Sequence, residues 1–254
     1  MWATKKKRGD RMLVFADTDK GQIRDLNEDY YYISKESDDI QLCILADGMG
    51  GYNGGEVASS LATISAKEYI LKNFTQTVKN KEEICELIRR AIEYANQIVY
   101  KRAQKDEDLE QMGTTLEICL IYENRAYIGH IGDSRIYRIR KDIMRKITVD
   151  HSYVQKLIKD GKITKEQAYD HPKKNMLMKA VGCWETADAD IFVKGFQKDD
   201  IIMICTDGLY NMISEEEMFD IITKDIEAGA KKLVDKANSM GGYDNISVIL
   251  IKNN

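Results

Sequence analysis

One proline, Pro172, serves the whole chain of 254 residues, and no Pro- or Ser-rich stretch interrupts it. Nothing in the sequence therefore resembles an interdomain linker, and no repeat of about 20–50 residues recurs. Cysteine is sparse too: Cys43, Cys85, Cys119, Cys183 and Cys205 are an odd, scattered set without C-x-x-C spacing. Three of them lie in apolar runs, where a free thiol packs as a small core residue, and the set favours a reduced, cytosolic protein. No apolar run reaches the roughly 18 residues that a membrane-crossing helix needs, and no signal-peptide core opens the chain. An excess of positive charge is also missing. A formal net charge of −4 argues against a general nucleic-acid binder. One basic cluster, Lys5 to Arg8, marks residues 1–11 as a flexible extension, with a single folded domain expected over 12–254.

What is present is patterned. Strand-like runs cover Leu13–Ala16, Tyr30–Ile33, Gln41–Ala46, Thr115–Tyr122, Ala126–Ile131, Ile136–Ile139, Ile201–Cys205 and Ile246–Ile251. A helical stripe runs through Ile84, Leu87, Ile88, Ala91, Ile92 and Ala95 to Ile98 and Val99. Further helices are expected over Glu56–Leu71, Ser152–Lys159, Glu215–Ile222 and Ala228–Asn238. Strands cluster instead of alternating with helices. That predicts stacked, mostly antiparallel sheets covered by helices, not a doubly wound parallel sheet.

The stretch "QLCILADGMGGYNGGEVA" raises the functional question. An apolar run ends on Asp47, and Gly48, Gly50, Gly51, Gly54 and Gly55 follow within eight residues. The spacing misses G-x-G-x-x-G, and a leading carboxylate would repel a pyrophosphate. Gly-Lys-Ser/Thr is absent, so neither nucleotide loop fits. Asp47 has company. Asp207-Gly208 and Asp133 each follow an apolar run, and Asp244 and Asp29 each precede one. Asp-Gly is a common turn dipeptide. Yet Asp47-Gly48 and Asp207-Gly208 both lead into helical sequence, which a plain hairpin turn would not do. Five acids converging from strand ends would repel one another without a cation. Hard oxygen ligands with no His or Cys nearby suit Mg²⁺ or Mn²⁺ better than zinc. Arg24, five residues before Asp29, is shaped to hold two phosphate oxygens, although a lone arginine beside acids is usually a surface ion pair.

With "TDKGQIRDLNED", "ADGMGG", "GTT" (113–115), "GDSR" (132–135), "DHS" (150–152), "HPKKN" (171–175), "TDGL" (206–209) and "DNIS" (244–247) in this order, the chain resembles the bacterial branch of the type 2C family of metal-dependent serine/threonine protein phosphatases. The likeness extends from about Asp19 to Ile251. It implies an α+β fold, a four-layer α/β/β/α sandwich with two central antiparallel sheets flanked by helices. It implies two Mn²⁺ or Mg²⁺ ions, bridged by Asp47, with the Gly48 carbonyl on one, Asp207 and Asp244 on the other, and Asp29 acting directly or through water. Asp133 with Asp207 matches the acids of a third ion, and Arg24 matches the phosphate clamp. The implied reaction is hydrolysis of phosphoserine and phosphothreonine by a metal-bridged hydroxide, without a phosphoenzyme. The partners would be phosphoproteins, among them substrates of a serine/threonine kinase and the kinase itself. The protein would act as a cytoplasmic monomer touching neither nucleic acid nor membrane. The alternatives are a phosphoprotein-binding regulatory relative and a small-molecule phosphatase. Residues of about 150–180 correspond to the family's flap. His151 and His171 fall near it, and ordinary capping or loop roles outweigh acid–base work for either. His130 reads as a satisfied, partly buried residue. Met49 stands where eukaryotic members carry a proton-donating His, which leaves the general acid open.

Overall fold

The apolar runs fold as strands and the 3.6-residue stripes as helices lying outside them. The computed structural model describes residues 12–35, 40–49, 54–74 and 80–254. In chain order these form β1 (Met12–Asp19), β2 (Asp29–Ile33), β3 (Gln41–Met49), α1 (Gly55–Asn73), α2 (Lys81–Ala103), β4 (Gly113–Thr114), β5 (Leu116–Tyr122), β6 (Arg125–Ile131), β7 (Arg135–Arg140) and β8 (Ile143–Lys146). Then come α3 (Tyr153–Lys159), α4 (Lys165–Tyr169), β9 (Asp190–Gly195), β10 (Ile201–Cys205), α5 (Asp207–Tyr210), α6 (Glu215–Lys224), α7 (Ile226–Ser239) and β11 (Ile246–Asn253). The basic cluster at Lys5–Arg8, the expected extension 1–11, and Gly50 and Gly51 lie outside the described residues.

One sheet has the order β1-β11-β10-β7-β8; the other runs β2-β3-β5-β6-β9, with β4 added to β3. Every pairing among the described strands is antiparallel. The period of two explains how unbroken apolar strands serve two interfaces. In β10, Ile202 and Ile204 face the space between the sheets, while Ile201, Met203 and Cys205 face the covering helices. In β3, Cys43 and Leu45 point inward, and Leu42, Ile44 and Ala46 meet the helices α1 and α2. The helix α2 buries its stripe from Ile84 to Val99 and starts in a capping box between Asn80 and Glu83. Two helix layers therefore sandwich two sheets, as expected from the clustering of strands.

Antiparallel order brings functional ends together. The last residue of β10 lies beside the start of β11 (Cys205 opposite Val248), and Asp29 stands directly opposite Asp47. Like charges facing across a strand pair are destabilising on their own. One local detail differs from the sequence reading. The strand β3 continues through Asp47 and Gly48 to Met49, because β4 pairs with its end (Gly48 with Thr114, Met49 with Gly113). Asp207 follows β10 and opens the short helix α5, in keeping with the helical sequence expected after it. The stretch 150–180 holds α3 and α4, and a pairing of Ser152 with Leu177 closes its base.

Candidate metal and phosphate site

At one end of the sandwich a cavity of about 260 Å³ is lined by Arg24, Glu28, Asp47, Gly48, Met49, Thr115, Asp133, Asn175, Leu177, Asp207 and Asp244. Asp29 lies buried beside it. All five aspartates singled out in the sequence thus meet, from segments as distant in the chain as Asp29 and Asp244. Close backbone approach explains Gly48: a Cβ there would collide with the Gly55 and Glu28 carbonyl oxygens.

Neighbours fix the Asp29 carboxylate, the Asp47 backbone and the Arg24 loop. The Thr206 hydroxyl donates to Asp29 Oδ2 at 3.0 Å and the Ser247 hydroxyl at 2.6 Å. Asp29 Oδ1 is buried without a hydrogen-bond partner. The Asp47 amide donates to Thr115 Oγ1 at 2.9 Å, and the Thr115 amide returns a bond to the Asp47 carbonyl at 2.9 Å. Asn245 donates to the carbonyls of Lys20 and Leu26, both at 2.9 Å, and accepts from the Glu28 amide at 2.8 Å. That amide staple carries the Arg24 loop to the cavity mouth. There Arg24 Nη2 donates to Asp244 Oδ2 at 2.9 Å, with roughly half of the arginine side chain exposed (47%).

The electrostatics are those of an uncompensated cluster. Burial first, and then Asp207 and Asp244, push Asp29 up to about 7 despite its two hydroxyl donors. Burial and Asp207 push Asp133 up to about 8. Asp207 rises to about 6 through burial and Asp244, with Arg24 and Arg135 opposing. Asp47 lies well above the carboxylate range through burial and the other four acids. Among the described residues no three His, Cys, Asp or Glu side chains gather closely enough to form a ligand cluster by themselves. Carboxylates repelling one another across a cavity would behave so. An orphaned buried carboxylate oxygen, hard oxygen donors and mutual repulsion fit a divalent cation of the Mg²⁺ or Mn²⁺ kind.

Some functional neighbours were not singled out from sequence. Glu28 lines the cavity, its carboxyl raised by burial and by Glu56; its adjacency to Asp29 was the available signal. Thr115, Thr206, Asn245 and Ser247 sit inside the quoted motifs but reveal their partners only through long-range contacts. His130 is satisfied as expected, with Glu117 Oε1 2.6 Å from its Nδ1, but it is fully and not partly buried. His171 accepts from the Lys173 amide at 3.0 Å, an ordinary loop role. The thioether of Met49 packs towards Gly113, where an added Cβ would meet its terminal methyl at 2.9 Å.

The family profile described as Protein phosphatase 2C matches residues 21–236. The chain is 38% identical over 239 residues to a serine/threonine phosphatase stp of Listeria innocua, covering 93% of this chain and 94% of that one. Among solved structures it is similar to the S. agalactiae serine/threonine phosphatase, with a TM-score of 0.88, 32% identity, and 96% and 100% of the two chains covered. It is also similar to the catalytic domain of serine threonine protein phosphatase PstP in complex with 2 manganese ions, with a TM-score of 0.82, 30% identity, and 95% and 97% covered. Fold, motif order and acidic cavity agree with these likenesses, and the chain belongs to the protein phosphatase 2C family of metal-dependent serine/threonine phosphatases.

Proposed function

We propose that this protein hydrolyses phosphoserine and phosphothreonine in proteins, without a phosphoenzyme. One observation carries the reading: Asp29, Asp47, Asp133, Asp207 and Asp244 meet at a single cavity whose mouth holds Arg24. Asp47, the Gly48 carbonyl, Asp207, Asp244 and Asp29 would hold two Mn²⁺ or Mg²⁺ ions, and Asp133 with Asp207 a third. When bound, such ions supply an acidified water as nucleophile and offset the charge gathering on the phosphoryl group.

The chain's own residues do the rest. Arg24 offers a planar donor fork at the mouth, suited to two phosphate oxygens and to their growing negative charge. Thr206 and Ser247 fix one oxygen of Asp29 and leave the other free for a cation. Met49 carries no proton to give, so the leaving oxygen draws its proton from solvent. We place the catalytic domain at 12–254, with 150–180 as the flap beside the site. Its substrates would be proteins phosphorylated by a serine/threonine kinase, and the kinase itself, met by a monomer in the cytoplasm. No helix among the described residues is long and apolar enough to cross a membrane.

The test is phosphate release from a phosphothreonine peptide with Mn²⁺, with and without chelator, beside a sugar phosphate. Release that chelator abolishes, and that favours the peptide, is expected. Binding of the phosphopeptide without turnover, or preference for the sugar phosphate, would replace the reading by one of its rivals.

A further inference from the structure

The turn carrying Asp133 is held from an unexpected side. Gly132 has φ +119°, and a Cβ there would meet Thr115 Cγ2 at 2.5 Å, so no other residue fits without displacing Thr115. Its amide does not bond to backbone. It donates to His151 Nδ1 at 3.2 Å, while the His151 amide donates to the Gly132 carbonyl at 2.7 Å. An amide donor at Nδ1 requires that nitrogen to be unprotonated, which places the ring proton on Nε2, 3.4 Å from Asp190 Oδ2.

The imidazole is itself fixed. Its ring lies on that of His130, centroids 4.5 Å apart. His130 Nε2 donates to the Val149 carbonyl at 2.9 Å, two residues before His151, and Glu117 holds its other nitrogen. The base of the 150–180 segment closes here too, since the Met178 amide donates to the His151 carbonyl at 2.7 Å. On the far side, the Tyr210 hydroxyl donates to the Asp133 carbonyl at 3.0 Å.

We propose that His151 is a positioning residue, whose neutral imidazole, by accepting from Gly132, holds the turn that presents Asp133 to the cavity. The ring accepts at Nδ1, its Nε2 proton faces Asp190, and His151 is not among the residues lining the cavity. The importance of this clamp to turnover rests on the assignment of Asp133 to the site made above.

Three variants test it. His151→Asn keeps an acceptor where Nδ1 stands; His151→Gln moves it one bond outward; His151→Leu removes it. Amide hydrogen exchange over residues 130–135 is read in the metal-free protein, and Mn²⁺-dependent turnover is read separately. His151→Leu and His151→Gln should speed exchange at the turn about five- to ten-fold, the loss of one buried hydrogen bond. Their kcat should fall with little change in KM. His151→Asn should keep both within about two-fold of the parent. Should His151→Leu not fold, the Asn and Gln pair still decides. Equal behaviour of that pair, or unchanged exchange in the variants lacking the acceptor, would overturn the clamp. If exchange follows the expected order while Asp133→Ala turns over like the parent, the assignment of Asp133 fails and the clamp stands.

Discussion

Asp133, two residues before Arg135, and Asp150, next to His151, belong to one network, yet their charges are treated in opposite ways. Asp150 receives Arg135 through both carboxylate oxygens (2.7 Å at the shortest) and Lys146 at 2.9 Å. Burial raises it, but the two cations hold it below the ordinary carboxylate range. Arg135 is further pinned over the Tyr210 ring, 3.5 Å from its centroid. Asp133 has Arg135 only as a distant influence, and burial with Asp207 pushes it up to about 8. Among the described residues the fold supplies two cations to one acid and, apart from Arg24 at the rim, no contact cation to the five at the cavity. An acid that serves structure is neutralised by the chain itself. A cluster left uncompensated is where the proposed function would place a charge from outside.

The largest break in that contrast should come at the cavity. Asp47→Asn or Asp207→Asn should cut turnover about a hundred- to a thousand-fold. Because each removes repulsion, the metal-free variant should melt no lower than the parent. Unchanged Mn²⁺-dependent activity in either would rule out the assignment. Arg24→Ala comes next. It should raise KM for the phosphopeptide roughly ten-fold, with cation affinity by calorimetry nearly intact; a collapse of that affinity would make Arg24 structural.

Asp150→Asn should act on stability instead. It strands a largely buried guanidinium, at a cost of about 1–3 kcal/mol once the partial exposure of Arg135 (22%) is allowed for. A melting temperature unchanged from the parent would show that the network is not needed for stability.

The metal-free protein should also report the cluster through pH. Asp29, Asp133 and Asp207 titrate at about 7, 8 and 6 in the fold, against 3.8 ordinarily. The folded state therefore holds more protons than the unfolded one between about pH 4 and 8, and stability from these groups falls as pH rises through that window. Melting temperatures with chelator should drop across it, and Mn²⁺ should flatten the curve. Parallel curves with and without Mn²⁺ would detach the cation from these acids. The smallest effect is expected from Met49→His, a shift in the kcat ratio of phosphothreonine peptide to p-nitrophenyl phosphate between pH 6 and 9, favouring the peptide. A constant ratio would mean that residue 49 only packs against Gly113.

Much of this was legible in the chain. Apolar runs of strand length and the Ile84–Val99 stripe announce two buried sheets with helices outside, because burial periodicity is a local property. Aspartates beside glycines at the ends of those runs name the cavity acids, since residue type and element boundary are both written locally. The edge strands β8 and β9 escaped because their residues are half-exposed and mix polar with apolar. The helices α4 and α5 escaped because they last barely a turn.

Tertiary structure alone decided who meets whom. Nothing local says that Asp29 opposes Asp47, that Ser247 donates to Asp29 across 218 positions, or that Asn245 carries the Arg24 loop. The same holds for the difference between Asp133 and Asp150, two Asp residues in similar polar surroundings of sequence. Their protonation depends on which cation the fold brings within reach and how much water it removes. The role of His151 follows likewise from an amide donor nineteen positions away. Sequence determined the elements and the kinds of chemistry available. Register and long-range packing, which set distance and dielectric, determined which carboxylates are stabilised from within and which are left uncompensated.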